Sequence, residues 1–290
     1  MRRRDVTDVV TTKQEIRRRV AAARAAGKSV GFVPTMGALH VGHRALLDRS
    51  VAENDFTVCS VFVNPTQFGP SEDFDRYPRQ LEEDRLLCEQ AGADTIFAPS
   101  PQEMYAADHT TWVEEERLTE GLCGARRPGH FRGVTTVCMK LFNIVAPDRA
   151  YFGCKDYQQL KVVQRMVRDL DLPLEVVPVE TVRQADGLAV SSRNRYLSDD
   201  DRRASLALRQ GLLTGRDRIN GGERGARSVA EAVRAEIVRE GRLQVDYIEV
   251  VDAETLEPAA PLAGRVVVAA AVYCGSTRLI DNIVVDVPGK

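Results

Sequence analysis

The stretch from Val30 to Leu47, VGFVPTMGALHVGHRALL, constrains this chain more than any other. The apolar run Val30 to Val33 predicts a buried strand. Pro34 and Gly37 break it, and a helix is expected from near Val41, with Leu46 and Leu47 on its inner face. Two of the four histidines, His40 and His43, fall at this strand-to-helix junction, with Gly42 between them. A helix start carries unpaired N–H groups and a partial positive charge, so it attracts anions. Residues three apart share a face, so both imidazoles can address one bound group. Gly42 lacks a side chain, which leaves room for a flat ring against the backbone. A phosphate-bearing nucleotide suits such a junction.

The remaining elements predict a doubly wound sheet around it. Thr11 to Ala26 reads as a helix stopped by Gly27. Thr57 to Val63 is a second buried strand, ending at Asn64-Pro65. Pro78 to Ala91 reads as a helix in which Leu81, Leu86 and Leu87 are apolar, and Thr95 to Ala98 as a third strand. Alternation of strand and helix at this spacing predicts a parallel, doubly wound α/β sheet. Ligands of such sheets bind beyond the carboxyl ends of the strands, which puts the residues after Val33 and after Val63 at one mouth. Cys123 to Val134 reads as a loop, Thr135 to Val145 as a buried helix, Ala150 to Gly153 as a strand, Lys155 to Asp169 as a helix and Leu174 to Val179 as a strand. Beyond Val182 the pattern changes. A helix capped by Ser198 is expected to end near Gly215, a second runs from Ala226 to Glu240, and strands follow at Val245 to Val251, Arg265 to Tyr273 and Arg278 to Val285, the last two able to pair as a hairpin across Cys274-Gly275-Ser276. This organisation predicts two domains, residues 1–182 and a smaller α+β domain of residues 183–290.

Composition narrows the partners. A net charge of -2 and a pI near 6.2 argue against nucleic acid or an anionic membrane as the main partner. The six cysteines are scattered without a CxxC pair, which fits a reducing cytosol and signals neither a zinc ribbon nor a redox dithiol. Met1-Arg2-Arg3-Arg4 is basic but is followed by Asp5 and Asp8 with no apolar signal segment, and no stretch approaches membrane-spanning length. A cytoplasmic enzyme is the expectation.

Five groups carry chemistry in this pattern, each against a plainer alternative. His40 and His43 suit phosphate, whereas a metal site would want a third ligand and none clusters nearby in sequence. Gln67, after the second strand, offers a neutral amide that can hold an acid without quenching its nucleophilicity; otherwise it belongs to a simple turn. Within the triplet Glu82-Glu83-Asp84, one carboxylate can serve Mg²⁺, which takes few carboxylates beside phosphate oxygens; a solvated face is the alternative. Gly153-Cys154-Lys155-Asp156, followed by Gln158-Gln159, offers a lysine to phosphate and an aspartate to ribose, or a surface ion pair. Val190-Ser191-Ser192-Arg193-Asn194 can close over phosphates or be a linker.

Taken together, the blocks PTMGALHVGH, VFVNPTQF, RYPRQLEED, PGHFRGV, DRAYFGCKDYQQL and DGLAVSSRNRYLS resemble the pantoate–β-alanine ligase (pantothenate synthetase) family from about Gly31 to Leu197. The resemblance implies that pantoate attacks the α-phosphorus of ATP to give pantoyl adenylate and pyrophosphate. The amine of β-alanine then displaces AMP to give pantothenate. It implies an ATP site built from Met36, Gly37, Ala38, Leu39, His40, Val41, Gly42 and His43, with His43 as proton donor. Further ATP contacts are Gly153, Cys154, Lys155, Asp156, Val182, Val190, Ser191, Ser192 and Arg193. Gln67 is the contact for pantoate and β-alanine, Gln159 a second contact for pantoate, and Asp84 the acidic position associated with Mg²⁺. His40, His43, Lys155 and Arg193 would stabilise charge during the reaction. A cytoplasmic homodimer with a Rossmann-like N-terminal domain and a C-terminal lid is implied as well. Cys154 departs from the glutamate common at that position. The alternatives are a nucleotidyltransferase that joins ATP to a phosphorylated acceptor through the same HxGH turn, and a non-catalytic nucleotide sensor.

Overall fold

The computed structural model describes residues 7–70 and 72–289; the basic start Met1–Arg4 and Asp5 lies outside them. In chain order the elements are β1 (Asp8–Val10), α1 (Lys13–Ala25), β2 (Val30–Thr35), α2 (Val41–Glu53), β3 (Phe56–Val61), α3 (Leu81–Ala91), β4 (Thr95–Phe97), α4 (Pro101–Met104), α5 (Leu122–Arg126) and α6 (His130–Val145). They continue with β5 (Arg149–Gly153), α7 (Tyr157–Asp169), β6 (Glu175–Val179), α8 (Asp199–Asn220), α9 (Ala226–Val238), β7 (Leu243–Asp252), β8 (Arg265–Cys274) and β9 (Thr277–Asp286). Short 3-10 turns cover Pro65–Gln67, Cys154–Asp156 and Ser192–Tyr196. The chain forms two compact units. The first runs to Glu116 and resumes over Arg127–Cys154 and Gln159–Glu180; the second takes Arg117–Arg126, Lys155–Gln158 and Thr181–Lys290.

The first unit holds a six-stranded, all-parallel sheet in the order β1-β4-β3-β2-β5-β6. From β2 the chain winds outward through β3 to β4, then returns to the other side of β2 for β5 and β6. The order therefore reverses between β2 and β5, the switch point at which doubly wound sheets bind ligands. β2 continues through Pro34 to Thr35, past the break expected at the proline. The ladder explains why. Thr35 O accepts from Phe62 N on the β3 side, so alternation turns the nitrogen of Pro34 toward β5. Pairing between β2 and β5 ends at Phe32, so no hydrogen bond is lost at Pro34.

Three features go beyond or against the sequence pattern. α3 turns Asp84, Cys88 and Ala91 inward, while Leu81 (40% exposed) and Leu86 (46%) face outward. Positions 84, 88 and 91 form the regular helical stripe that the leucines do not. The glycine-rich segment 123–134 is largely helical: α5 covers its start, and α6 begins at His130 after Gly129, whose φ is +78°. Packing overrides the low helix propensity of Gly133. The strand β1 has only three residues, too few to show alternation, and was not expected.

The second unit packs α8 and α9 on the antiparallel sheet β7-β8-β9, with Leu208, Leu212, Val233 and Ile237 meeting Val266 and Val268 in its core. α8 runs on through Gly215 to Asn220. A Cβ at Gly211 or Gly215 would come within 2.8 Å of Ile237 or 2.7 Å of Val233, so these glycines allow close approach of α9 instead of ending the helix. β8 and β9 form the expected hairpin, Cys274 facing Thr277 across Gly275-Ser276. Among the described residues no helix is long and apolar enough to cross a membrane.

Candidate active site

The turn after β2 supports itself. Thr35 Oγ1 accepts from Gly37 N (3.1 Å) and donates to Ser60 O (2.6 Å). His40 is the N-cap of α2, and its Nδ1 accepts from Gly42 N at 3.1 Å. His43 reaches back so that its Nδ1 accepts from His40 N at 3.3 Å. This is a capping box with imidazoles in place of the usual hydroxyl and carboxylate. The ring centroids lie 4.1 Å apart at an interplanar angle of 33°. A neutral imidazole whose Nδ1 accepts must carry its proton on Nε2. Both histidines are thereby fixed in the tautomer that offers an Nε2–H donor. The ring that lies against Gly42 is that of His40, since a Cβ there would sit 2.9 Å from its Cε1.

Gln67 is 8% exposed and closes the 3-10 turn after β3. Its Oε1 accepts from Asn64 Nδ2 (3.0 Å), which aims Nε2 at Met36 Sδ (3.0 Å). The turns after β2 and β3 therefore meet, as the shared strand ends predict. Asn64 is fully buried; its Oδ1 accepts from Tyr105 OH and Thr66 Oγ1 (both 2.9 Å), and Nδ2 also donates to Gly133 O (3.1 Å). The PGHFRGV block forms the floor beneath. His130 Nδ1 lies 2.7 Å from Gln67 O, and Arg127 Nη1 lies 3.0 Å from His130 Nε2. With Arg127 donating, His130 is the Nδ1–H tautomer and donates to Gln67 O. Glu72 holds Arg127 through both carboxylate oxygens (2.6 and 2.5 Å). Burial opposes ionisation of Glu72, but the Arg127 guanidinium keeps its carboxyl below the ordinary value. A Cβ at Gly133 would fall 2.4 Å from Thr66 O, so only glycine lets the turn seat. Arg132 stacks on Trp112, with its guanidinium carbon 4.8 Å from the ring centroid. Sequence reasoning singled out Gln67 but not the supporting roles of Asn64, His130 and Gly133. A glycine inside an apolar helical run was the available signal for the last of these.

Asp84 is 1% exposed, whereas Glu82 and Glu83 are exposed. Its Oδ1 accepts from Leu39 N (2.7 Å) and its Oδ2 from Ala38 N (3.1 Å). Among the described residues no three His, Cys, Asp or Glu side chains gather as metal ligands. Both oxygens of this carboxylate are engaged by amides and turned away from solvent, which fits poorly with Mg²⁺, an ion held through few carboxylates and usually keeping several waters.

Gly153 ends β5, next to β2 at the switch point, and Cys154 follows half-buried. In the first turn of α7, Gln158 is wholly committed: Oε1 accepts from Cys123 N (2.9 Å) and Gly124 N (3.3 Å), while Nε2 donates to Leu118 O (2.8 Å) and Gly121 O (2.9 Å). Its neighbour Gln159 is half-buried. The second unit gathers the other predicted contacts along β9. Asn282 Nδ2 donates to Lys155 O (2.9 Å). Val190 N donates to Val182 O (3.0 Å), and between them Arg183 forks onto Asp281 at 2.7 and 2.9 Å. Ser191 Oγ accepts from Arg193 N (3.3 Å), which caps the turn over Ser192–Tyr196. One of the two expected hydroxyls thus orders the loop.

A doubly wound parallel sheet with a His-x-Gly-His helix start at its switch point defines a nucleotide-using α/β enzyme. The chain belongs to the pantoate–β-alanine ligase family, whose model matches residues 8–284. It is 55% identical to the pantothenate synthetase of Moorella thermoacetica over 97% of this chain and 99% of that one. The crystal structure of pantothenate synthetase from Thermus thermophilus is 48% identical and superposes with a TM-score of 0.89, covering 96% of this chain and 99% of the other. A pantoate–β-alanine ligase from Francisella tularensis, solved with beta-gamma ATP and β-alanine, is 30% identical at a TM-score of 0.78, covering 96% and 97%. The chain is accordingly a carbon–nitrogen ligase that uses ATP to join pantoate to β-alanine.

Proposed function

We propose that the reaction runs in two steps, with the turn after β2 serving ATP and Gln67 serving the acid. A pantoate carboxylate oxygen attacks the α-phosphorus, the bond to the bridging oxygen breaks, and pyrophosphate leaves. The nitrogen of β-alanine then attacks the acyl carbon, the acyl–oxygen bond breaks, AMP departs and the amine proton is lost. The observation that carries this reading is the pair of histidines fixed as Nε2–H donors at a helix start, next to an amide held in one orientation. Such donors stabilise charge that builds on phosphate oxygens without reorganising, which is most of what phosphoryl chemistry asks of a protein.

In this reading His43 donates to the oxygens that gain charge at the α-phosphorus, and His40 binds phosphate. Met36 to Val41 and Gly42 line the nucleotide, as do Gly153, Cys154, Asp156, Val182 and the turn Val190 to Ser192. Lys155 and Arg193 add positive charge. Gln67 holds pantoate and then β-alanine, and Gln159 holds pantoate. The neutral amide leaves the pantoate carboxylate nucleophilic. Residues 1–182 act as the catalytic domain and 183–290 as the lid that shields the adenylate from water. Mg²⁺, when bound with ATP, would offset phosphate charge, and every step above is assigned to residues of this chain. Dispersed cysteines support a cytoplasmic setting, and we extend the family's homodimer to this chain. Pantoate-dependent exchange between pyrophosphate and ATP, followed by AMP release that requires β-alanine, is the test. Exchange equally fast without any acid overturns the scheme, and turnover without AMP points to nucleotidyl transfer instead.

A further inference from the structure

The nucleotide turn has an uncommon backbone. Gly37 has a φ of +81° and Ala38 a φ of +51°, two successive residues in the left-handed region. The first is a glycine, which adopts this conformation freely; the second is not, and its strain must be held by something outside the turn. Asp84 is that partner. Successive N–H groups of Ala38 and Leu39 converge on its two oxygens at 3.1 and 2.7 Å. Such a concave pair of amides binds anions, and here the anion is the protein's own carboxylate. The fit is close, since a Cβ at Gly37 would lie 2.9 Å from Asp84 Oδ2 and from Val61 Cγ1. Asp84 itself sits in the first turn of α3, where the helix start favours a negative charge, and it is 1% exposed.

We propose that Asp84 is a positioning residue that clamps the backbone of residues 37–39 and so sets where the His40–His43 cap begins, and that it is not a Mg²⁺ ligand. The chemistry of the site agrees. A buried carboxylate beside a triphosphate would repel it if it were open, but two amides and a helix start neutralise it. The clamp also links α3 to the turn after β2, which leads directly into the His40 cap of α2. The inference rests on the reading that ATP occupies this turn, and it deepens that reading.

Asp84→Asn is the decisive variant, because it keeps the shape and sets an amide NH₂ against a backbone N–H. Hydrogen exchange of the Ala38 and Leu39 amides reads the clamp without any ligand. Loss of a charge-assisted bond should speed it about tenfold or more in the variant. ATP binding measured by calorimetry in excess chelator should weaken by a similar factor, while the Mg²⁺ concentration for half-maximal AMP release stays unchanged. Unchanged exchange overturns the clamp, and intact metal-free binding with a raised Mg²⁺ requirement overturns the proposal by making Asp84 a metal ligand. If the wild-type chain binds no ATP, the nucleotide reading fails while the exchange result still judges the clamp. Glu83→Gln, on the exposed face of the same turn, should change none of these quantities. Should Asp84→Asn fail to fold, Asp84→Glu moves the carboxylate by one methylene and is read by the same exchange; protection equal to wild type there counts against the clamp.

Discussion

The turn after β2 and the turn after β3 meet at one mouth but are held in opposite ways. The first is local: the histidines cap each other's backbone within four residues, and Asp84 is its main distant support. The second is imported. Gln67 takes its orientation from Asn64, and the turn is seated by Gly133, His130, Arg127 and Tyr105, up to 69 positions away. A locally built site leaves a motif in the sequence, whereas an imported one leaves isolated residues whose meaning depends on the fold.

That contrast can be broken or sharpened by substitution. The largest effect is expected for His43→Ala, which should slow pyrophosphate–ATP exchange about 10²-fold or more, the usual cost of losing a donor aimed at developing charge. A fall in ATP affinity with kcat intact would remove His43 from the chemical step. Gln67→Ala should raise the KM for pantoate about tenfold, one hydrogen bond's worth, and change the KM for ATP far less. Equal changes in both would argue against a specific contact with the acid. Gly133→Ala tests the import directly. The added methyl must push the Gln67 turn away, so it should reproduce the Gln67→Ala pattern in weaker form and cost about 1–3 kcal/mol of stability by overpacking. Kinetics unchanged from wild type would mean that the turn supports itself.

The smallest effect concerns Glu72. Its carboxyl is more acidic in the folded chain than in the unfolded one, so its pairing with Arg127 stabilises the fold above the ordinary carboxylate value and is lost as pH falls through the lowered value. The stability gap between wild type and Glu72→Gln should therefore be widest near neutrality and close below about pH 4. Thermal unfolding of both proteins across that range measures it, and a gap that widens in acid would contradict the sign.

The same logic explains what could be read without a structure. The strand and helix around HVGH, the parallel winding and the terminal hairpin were all legible, since they rest on short-range periodicity and turn chemistry. The inward face of α3 was not. Its three leucines are apolar but share no face, and the backbone amides of residues 38–39 with the packing of Cys88 and Ala91 select the inward one. Gly215 looked like a helix end because a glycine stop and a glycine packing contact have the same letter; only the proximity of Val233 separates them. The helical start of α6 was hidden because its glycines serve the neighbouring turn. Asp84 shows the limit most clearly, since an acidic residue in a motif says nothing about whether its oxygens face a ligand or the chain itself.

Pro34 carries a consequence for how the mouth is entered. Its nitrogen faces β5 just past the last β2–β5 pair, and it cannot donate. β2 and β5 are therefore unable to zip further toward their carboxyl ends, whatever the occupancy of the site. The gap at the switch point is written into the covalent chain, so in the proposed scheme arrival of a nucleotide there requires no prior parting of strands. Association should then show a single concentration-dependent phase at this part of the site, with any slow step belonging to later rearrangement of the bound complex.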